Sequence, residues 1–317
     1  MVATDSARLD PQARAVLERA AASGNPPLYE LSAAEARRVY RETRATLAPV
    51  PPRVAEVREL SIPGPAGALR ARLYRPDSAG GLLPAMAYFH GGGFIYGDID
   101  THDAVCRGIC ASTPCVVISV DYRLAPEHKF PAAVEDGFAA TQWIARNAAS
   151  FGVDAGQVVI AGDSAGGGLS LATWMAAKAA GLPPPAALYL ISPWANVGQT
   201  GAAYAAKAKT DPVLTKEALD RFAGAYLAGK TDAKTPLASP LDGDFAAAPP
   251  MLIQVGSKEL LLSDSLGVAE AASLAGGDVT LRVWPEMVHI WPFFAANLAA
   301  GRAAIDEAAA WIREKIA

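Results

Sequence analysis

Gly162-Asp163-Ser164-Ala165-Gly166 separates an apolar, β-branched run, Val158-Val159-Ile160, from a helix-forming stretch that runs on through Gly167 and Gly168 to Ala180. A serine between two glycines at such a junction is the G-x-S-x-G pattern of a nucleophile elbow. There a tight strand-to-helix turn lifts the hydroxyl above the end of a sheet. The glycines are needed because the turn brings backbones too close for a Cβ. Alone, the pattern also fits an ordinary glycine-rich turn. The strand before it and the helix after it single out the elbow. Ser164 is the candidate nucleophile.

Upstream, Tyr88-Phe89-His90-Gly91-Gly92-Gly93-Phe94 closes a second buried-strand segment, 84–89. An HGGG run after a strand presents backbone N–H groups to a developing oxyanion, and glycines let the backbone itself touch the substrate oxygen. The expected donors are Gly91, Gly92 and the amide of Ala165, directly after the serine. A phosphate-cradling loop fits less well. No lysine with a serine or threonine follows these glycines, and no G-x-G-x-x-G with a later acid is present.

A serine nucleophile of this kind needs an acid and then a histidine further along the chain. Of the four histidines, His90, His102, His128 and His289, only His289 follows Ser164. It lies just past the strand-like segment 279–284, on a loop suited to a mobile general base. The other three keep a structural reading, with His90 bracing the glycine loop and His128 its own loop. The acid is sought after the buried-strand segment Met251-Leu252-Ile253-Gln254-Val255, where Glu259 and Asp264 compete. Glu259 is favoured because capping of a helix from Ser265 to Leu274 already accounts for Asp264. In this scheme His289 takes the Ser164 proton and Glu259 holds the imidazole tautomer. The chemistry calls for no cofactor, and the cysteines and histidines offer no metal-ligand spacing.

These motifs, with Asp121-Tyr122-Arg123-Leu124-Ala125-Pro126-Glu127-His128 running into Phe130-Pro131-Ala132, resemble those of the bacterial hormone-sensitive-lipase-like carboxylesterases of the α/β-hydrolase superfamily. The resemblance covers almost the whole chain. It implies Ser164 as nucleophile, His289 as base, Gly91, Gly92 and Ala165 as oxyanion donors, and a small-molecule ester as substrate. Many members supply the acid from an Asp-Pro-Leu segment, where this chain has Glu259-Leu260-Leu261. A subgroup resembling Gly-Ser-x-Glu uses glutamate there. Homodimers are frequent in the resembling family.

The 317 residues are 51% hydrophobic, enough for a large single α/β core. A net charge of −4 without a basic stripe argues against nucleic acid as a partner. Met1 to Ser6 lack the basic and apolar regions of a signal peptide. No uninterrupted apolar run reaches about 18 residues, so no membrane insertion is expected. Cys106, Cys110 and Cys115 read as reduced, buried thiols, and a cytoplasmic location is expected.

The fold expected is α/β. Residues 1–50 read as helical, with Asp10-Pro11 a helix start and Ser32-x-x-Glu35 a capping box, and the Pro49-Val50-Pro51-Pro52 cluster ends them. A hairpin over 55–62 and 69–74 and strands at 84–89 and 115–121 follow. Then come helix 132–148, strand 157–161, helix 165–180, strands 186–192 and 250–255, helix 264–275, strand 279–284 and helix 293–316. The alternation predicts a mostly parallel eight-stranded sheet flanked by helices, over 51–194 and 249–317. Segments 1–50 and 195–248 stand outside it, and the resemblance implies a helical cap built from both. Phe94, Tyr204, Leu214, Phe222 and Tyr226, with Trp194, are candidates for an apolar lining, though any single one more often packs in a core. A capped apolar pocket favours short- to medium-chain acyl groups. Two other readings stay open. One is a lactone, amide or carbamate hydrolase on the same scaffold. The other is a non-catalytic receptor like the resembling plant hormone receptors, which keep the elbow serine but lose the histidine that this chain retains.

Overall fold

The computed structural model describes residues 9–47, 50–77, 81–229 and 231–316. Met1 to Ser6 and Pro49 lie outside them. The chain begins with α1 (Pro11–Ala21) and α2 (Ala33–Leu47). Asp10 caps α1 by accepting from the amides of Gln12 and Ala13. Ser32 and Glu35 form the reciprocal capping box at α2, each accepting the other's amide.

The hairpin β1 (Glu56–Gly64) and β2 (Gly67–Arg75) forms one edge of the sheet. There follow β3 (Leu83–Phe89), α3 (Asp103–Ser112), β4 (Val116–Val120), α4 (Ala132–Arg146), β5 (Val153–Asp163) and α5 (Ala165–Ala179). The remainder is β6 (Ala187–Ile191), α6 (Ala202–Ala206), α7 (Lys216–Tyr226), β7 (Met251–Gly256), α8 (Leu262–Leu274), β8 (Val279–Trp284) and α9 (Ala299–Lys315). The eight strands run in the order β1-β2-β4-β3-β5-β6-β7-β8, and only the pairs made by β2 are antiparallel. The central strands are apolar on both faces because helices cover both, as a parallel sheet requires. Leu73, Phe89, Ile160 and Leu190 point to one side with α4, α5 and α8. Tyr88, Val159, Tyr189 and Leu252 point to the other with α1, α3 and α9.

This topology places the chemistry. From β3 the chain moves to β4 on one side, whereas β5 lies on the other, so strand order reverses between β3 and β5. A crevice opens at the carboxyl ends of strands at such a point. Register does the rest. Phe89 at the end of β3 pairs with Gly162 near the end of β5, which sets the HGGG run beside the elbow. Across the sheet Gly256 pairs with Trp284, so the loops that follow β7 and β8 leave it side by side.

Three details differ from the sequence reading. Helix α3 was signalled only by the i,i+4 spacing of Cys106 and Cys110. The last helix starts at Ala299 rather than 293, because Trp291–Phe294 forms a separate 3-10 turn with Pro292 at its start. Helix α8 begins at Leu262, which puts Asp264 inside its first turn rather than at its cap.

The elbow itself permits little change. A Cβ on Gly166 would overlap the carbonyl oxygen of Phe89 and lie 2.6 Å from that of His90. Gly166→Ala is expected to cost about 1–3 kcal/mol or more by overpacking, read as a lower urea midpoint. An unchanged midpoint would mean that β3 and the elbow are not in such close contact.

Candidate active site

Ser164 follows the last residue of β5 and precedes the first of α5, at φ 53° and ψ −121°. A non-glycine residue held there stores on the order of 1–3 kcal/mol of strain, which the surrounding contacts must offset. Those contacts are explicit. The Ser164 amide donates to Ile191 O (2.9 Å), and the Trp194 amide donates to Ser164 O (2.8 Å). The side chain is thereby aimed away from the sheet, and its Oγ lies 2.9 Å from His289 Nε2.

His289 comes from the loop between β8 and the 3-10 turn, and its Nδ1 lies 2.7 Å from Glu259 Oε2. Glu259 stands just past β7 and is fully buried. Its other oxygen accepts from Ser192 Oγ (2.7 Å) and from the Gly256 amide (2.5 Å). Ser192 Oγ in turn accepts from the Ile290 amide (3.3 Å), so one hydroxyl ties the loop carrying the carboxylate to the loop carrying the imidazole.

Asp264, the competing carboxylate, is engaged elsewhere. It is also fully buried, but it accepts from the Ala195 and Asn196 amides (2.9 Å each) and from Tyr204 Oη (2.8 Å). The capping role read from sequence is replaced by an anchoring one, holding the chain that leaves β6. Burial pushes Asp264 up to about 7 against these hydrogen bonds. The folded state therefore keeps a proton there that the unfolded chain loses near pH 4, and stability falls as pH rises from about 4 to about 7. Asp264→Asn mimics the protonated acid, so its melting temperature should fall less than that of the wild type between about pH 5 and about pH 8. Asp121 and Asp211, each raised to about 6 by burial, leave part of the slope in the variant. Equal slopes in the two proteins would remove Asp264 from this account.

The glycine loop requires one correction. The Gly91 amide donates to Asp163 Oδ1 (3.1 Å) inside the protein and faces away from the crevice. Asp163, the variable residue of the elbow motif, ties the two glycine motifs together, which the motif pattern did not reveal. Gly92 (φ 118°) and Gly93 (φ 62°) line the crevice instead, and among the described residues neither donates its amide to another protein group. The Ala165 amide is the first of α5 and has no intrahelical acceptor.

Behind the loop, Tyr88 Oη also donates to Asp163 Oδ1 (2.7 Å), and His102 Nε2 lies 3.5 Å away. Burial works against the Asp163 carboxylate, but His102 and these hydrogen bonds prevail and hold its pKa below the usual value. His90 stacks on Tyr122 at 4.3 Å, and Tyr122 Oη donates to the His90 carbonyl (2.7 Å). Burial, reinforced by His102, lowers His90 to about 4, so it braces the loop as a neutral ring. The motif from Asp121 to His128 is explained by such contacts. Arg123 pairs with buried Asp136 on α4 (2.8 Å), and Glu127 pairs with Arg37 on α2 (2.7 Å). His128 is exposed, and what ties it to its loop is its backbone amide, which donates to Leu124 O (2.9 Å).

Above Ser164 and His289 lies a cavity of about 520 Å³. Leu214, Phe222 and Trp194 line it, as the sequence suggested, whereas Phe94, Tyr204 and Tyr226 do not. Phe94 and Tyr226 stack on each other at 3.9 Å beneath the wall, and Tyr204 serves Asp264. The opposite wall comes from the N-terminal segment, including Leu28, Val39 and Tyr40.

Residues 86–293 match a family described by its alpha/beta hydrolase fold. An acetyl-hydrolase of Streptomyces hygroscopicus is 41% identical over 72% of this chain and 75% of its own length. The carboxylic ester hydrolase LipN of Mycobacterium tuberculosis is 36% identical over 91% of this chain and 78% of its own. The crystal structure of an esterase from the bacterial hormone-sensitive lipase family superposes with a TM-score of 0.87, at 34% identity, covering 97% of this chain and 99% of that one. The chain belongs to the α/β-hydrolases, in their bacterial hormone-sensitive-lipase branch.

In this hydrolase the sequence reading missed three residues that build the site: Asp163, Ser192 and Asp211. Asp211 accepts from the Val213 and Leu214 amides (2.8 and 2.9 Å) and, through its second oxygen, from the Leu260 amide (2.8 Å). It thus joins the cavity wall to the residue beside Glu259. Ser192 alone carried a signal, as a polar residue capping a fully apolar strand. Among the hydrolase's described residues no helix is long and apolar enough to cross a membrane, and no cluster of His, Cys, Asp or Glu is placed to hold a metal.

Proposed function

We propose that this hydrolase cleaves carboxylic esters of short to medium acyl chain by way of an acyl-enzyme. The observation that carries the reading is the hydrogen-bonded chain from Ser164 Oγ through both nitrogens of His289 to Glu259, open to the cavity at its serine end. His289 Nε2 accepts the Ser164 proton as Oγ attacks the ester carbonyl. Glu259 receives the Nδ1 hydrogen bond, which fixes the tautomer and balances the imidazolium charge. The amides of Gly92, Gly93 and Ala165 receive the oxyanion, Gly93 standing where Gly91 was expected. One such donor is typically worth about 2.7–4 kcal/mol in the transition state. His289 then passes its proton to the leaving alcohol, and water repeats the sequence to free the acid.

The names of the relatives support ester hydrolysis. The two walls of the cavity support a cap made of segments 1–50 and 195–248, the first packed with α1 against α9 and the second against the elbow side. Cys106, Cys110 and Cys115, all buried and unpaired, support a reducing, cytoplasmic setting.

A series of para-nitrophenyl esters from acetate to palmitate tests the reading. Turnover should peak at short or medium chains, because the cavity of about 520 Å³ must hold the alcohol part of the ester as well as the acyl chain. A maximum at palmitate would overturn the chain-length proposal, and no turnover from folded protein would overturn ester hydrolysis.

A further inference from the structure

Within the cavity, one charge is out of keeping with the walls. Among the described residues that line it, Arg44 on α2 is the one side chain with a fixed charge, and no aspartate or glutamate lines it. The other three arginines of α2 each have a carboxylate: Arg37 with Glu127 at 2.7 Å, Arg38 with Glu42 at 2.9 Å, Arg41 with Asp98 at 2.5 Å. Arg44 forms no ion pair among the described residues. Its guanidinium carbon lies instead over aromatic rings, 4.0 Å from the centre of Phe293, 4.7 Å from Tyr40 and 5.3 Å from Phe294.

Tyr40 also takes a hydrogen bond from this guanidinium, and with five N–H donors Arg44 retains others for a further acceptor. The rings also fix where the cation sits. Phe293 and Phe294 belong to the 3-10 turn that directly follows the His289 loop, so the charge is seated on the stretch of chain that carries the imidazole. A planar fork of donors, held by rings at the wall of a largely apolar cavity and without a carboxylate partner among the described residues, matches a carboxylate.

We propose that the esters this hydrolase selects carry a free carboxylate, which Arg44 binds inside the cavity. The proposal rests on the ester-hydrolase reading above and adds the substrate class. The carboxylate takes no part in bond making. It neutralises Arg44 and orients the ester, so it acts on kcat/KM as a binding contact. The competing account is that Arg44 only clamps α2 onto the turn after His289, in which case charged and neutral esters respond alike when it is changed.

Two matched pairs of esters separate the accounts and locate the charge. Mono-para-nitrophenyl adipate and the corresponding adipamide ester place it on the acyl side. Para-acetoxybenzoate and para-acetoxybenzamide place it on the alcohol side. The wild type should favour the carboxylate over its amide twin in one pair by about 10- to 100-fold in kcat/KM, the range of a charge-assisted hydrogen bond. Arg44→Met should erase that ratio, and Arg44→Lys should keep part of it. No preference in either pair, or equal loss of both members in Arg44→Met, would overturn the proposal.

Should Arg44→Met fail to fold, inhibition of wild-type para-nitrophenyl acetate hydrolysis by the free diacid and by benzoate decides instead. Competition by one of them, stronger than that of its amide, supports the site, and equal or absent competition overturns it. Hydrolysis of para-nitrophenyl acetate without carboxylate preference defeats only this inference. Failure to hydrolyse any ester defeats the reading beneath it.

Discussion

Replacing Ser164 by alanine is expected to lower kcat for para-nitrophenyl butyrate by about 10⁵- to 10⁶-fold, to the residual rate that oxyanion stabilisation and binding supply alone. The size follows from the arrangement. Ser164 Oγ is the one group that His289 Nε2 contacts at hydrogen-bond distance among the described residues, so without it the imidazole has no nucleophile to activate. The fold should survive. The bonds that set the elbow run through the Ser164 backbone to Ile191 and Trp194, and alanine preserves them. Melting temperature and far-ultraviolet dichroism should therefore match the wild type, with a stability change within about 1 kcal/mol. Stoichiometric labelling by an organophosphonate should vanish together with turnover. Retention of even a few per cent of kcat would place the nucleophile elsewhere.

Glu259→Gln is the second large effect, and the hydrogen bonds determine its direction. One Glu259 oxygen accepts from the Gly256 amide, which can only donate. A glutamine must therefore turn its carbonyl oxygen toward Gly256 and its NH₂ toward His289 Nδ1. That choice makes Nδ1 an acceptor and moves the imidazole proton to Nε2, where it can no longer accept from Ser164. The expected loss in kcat is about 10⁴-fold, with KM little changed. Asp264→Asn gives the contrast. Asp264 hydrogen-bonds Ala195, Asn196 and Tyr204, none of them part of the proposed proton path, so its loss of kcat should be far smaller. If Asp264→Asn were the crippled variant and Glu259→Gln stayed within about tenfold of wild type, the acid would have to be reassigned.

The same pair of carboxylates shows how far sequence reasoning reaches. Both follow an apolar strand, and only a few residues separate them. The reasoning that favoured Glu259 rested on a helix cap at Asp264 that does not exist, since α8 starts two residues before it. Asp264 was set apart by a different occupation, partners on the far side of β6 that no local pattern announces. The glycine loop behaves alike. An HGGG run after a strand is legible, but which of its amides faces the crevice depends on Asp163 reaching back from β5 to take Gly91.

What the sequence determined by itself is local in origin. The elbow, the capping box of α2, the alternation that yields an eight-stranded sheet and the single histidine after Ser164 are all written in glycine placement, periodicity and chain order. Such features depend on φ and ψ preferences within a few residues and on burial that repeats with the pleat or the helical turn. The tertiary structure alone decided the pairings between distant segments. Examples are Ser192 joining the two loops of the site, Asp211 joining the cavity wall to Leu260, and Phe94 and Tyr226 stacking beneath that wall rather than facing in. It also decided that Arg44, alone among four arginines of one helix, would meet aromatic rings in place of a carboxylate. Each of these depends on which strands become neighbours and in what register, and residue type carries little information about a partner a hundred residues away until packing has brought the two together.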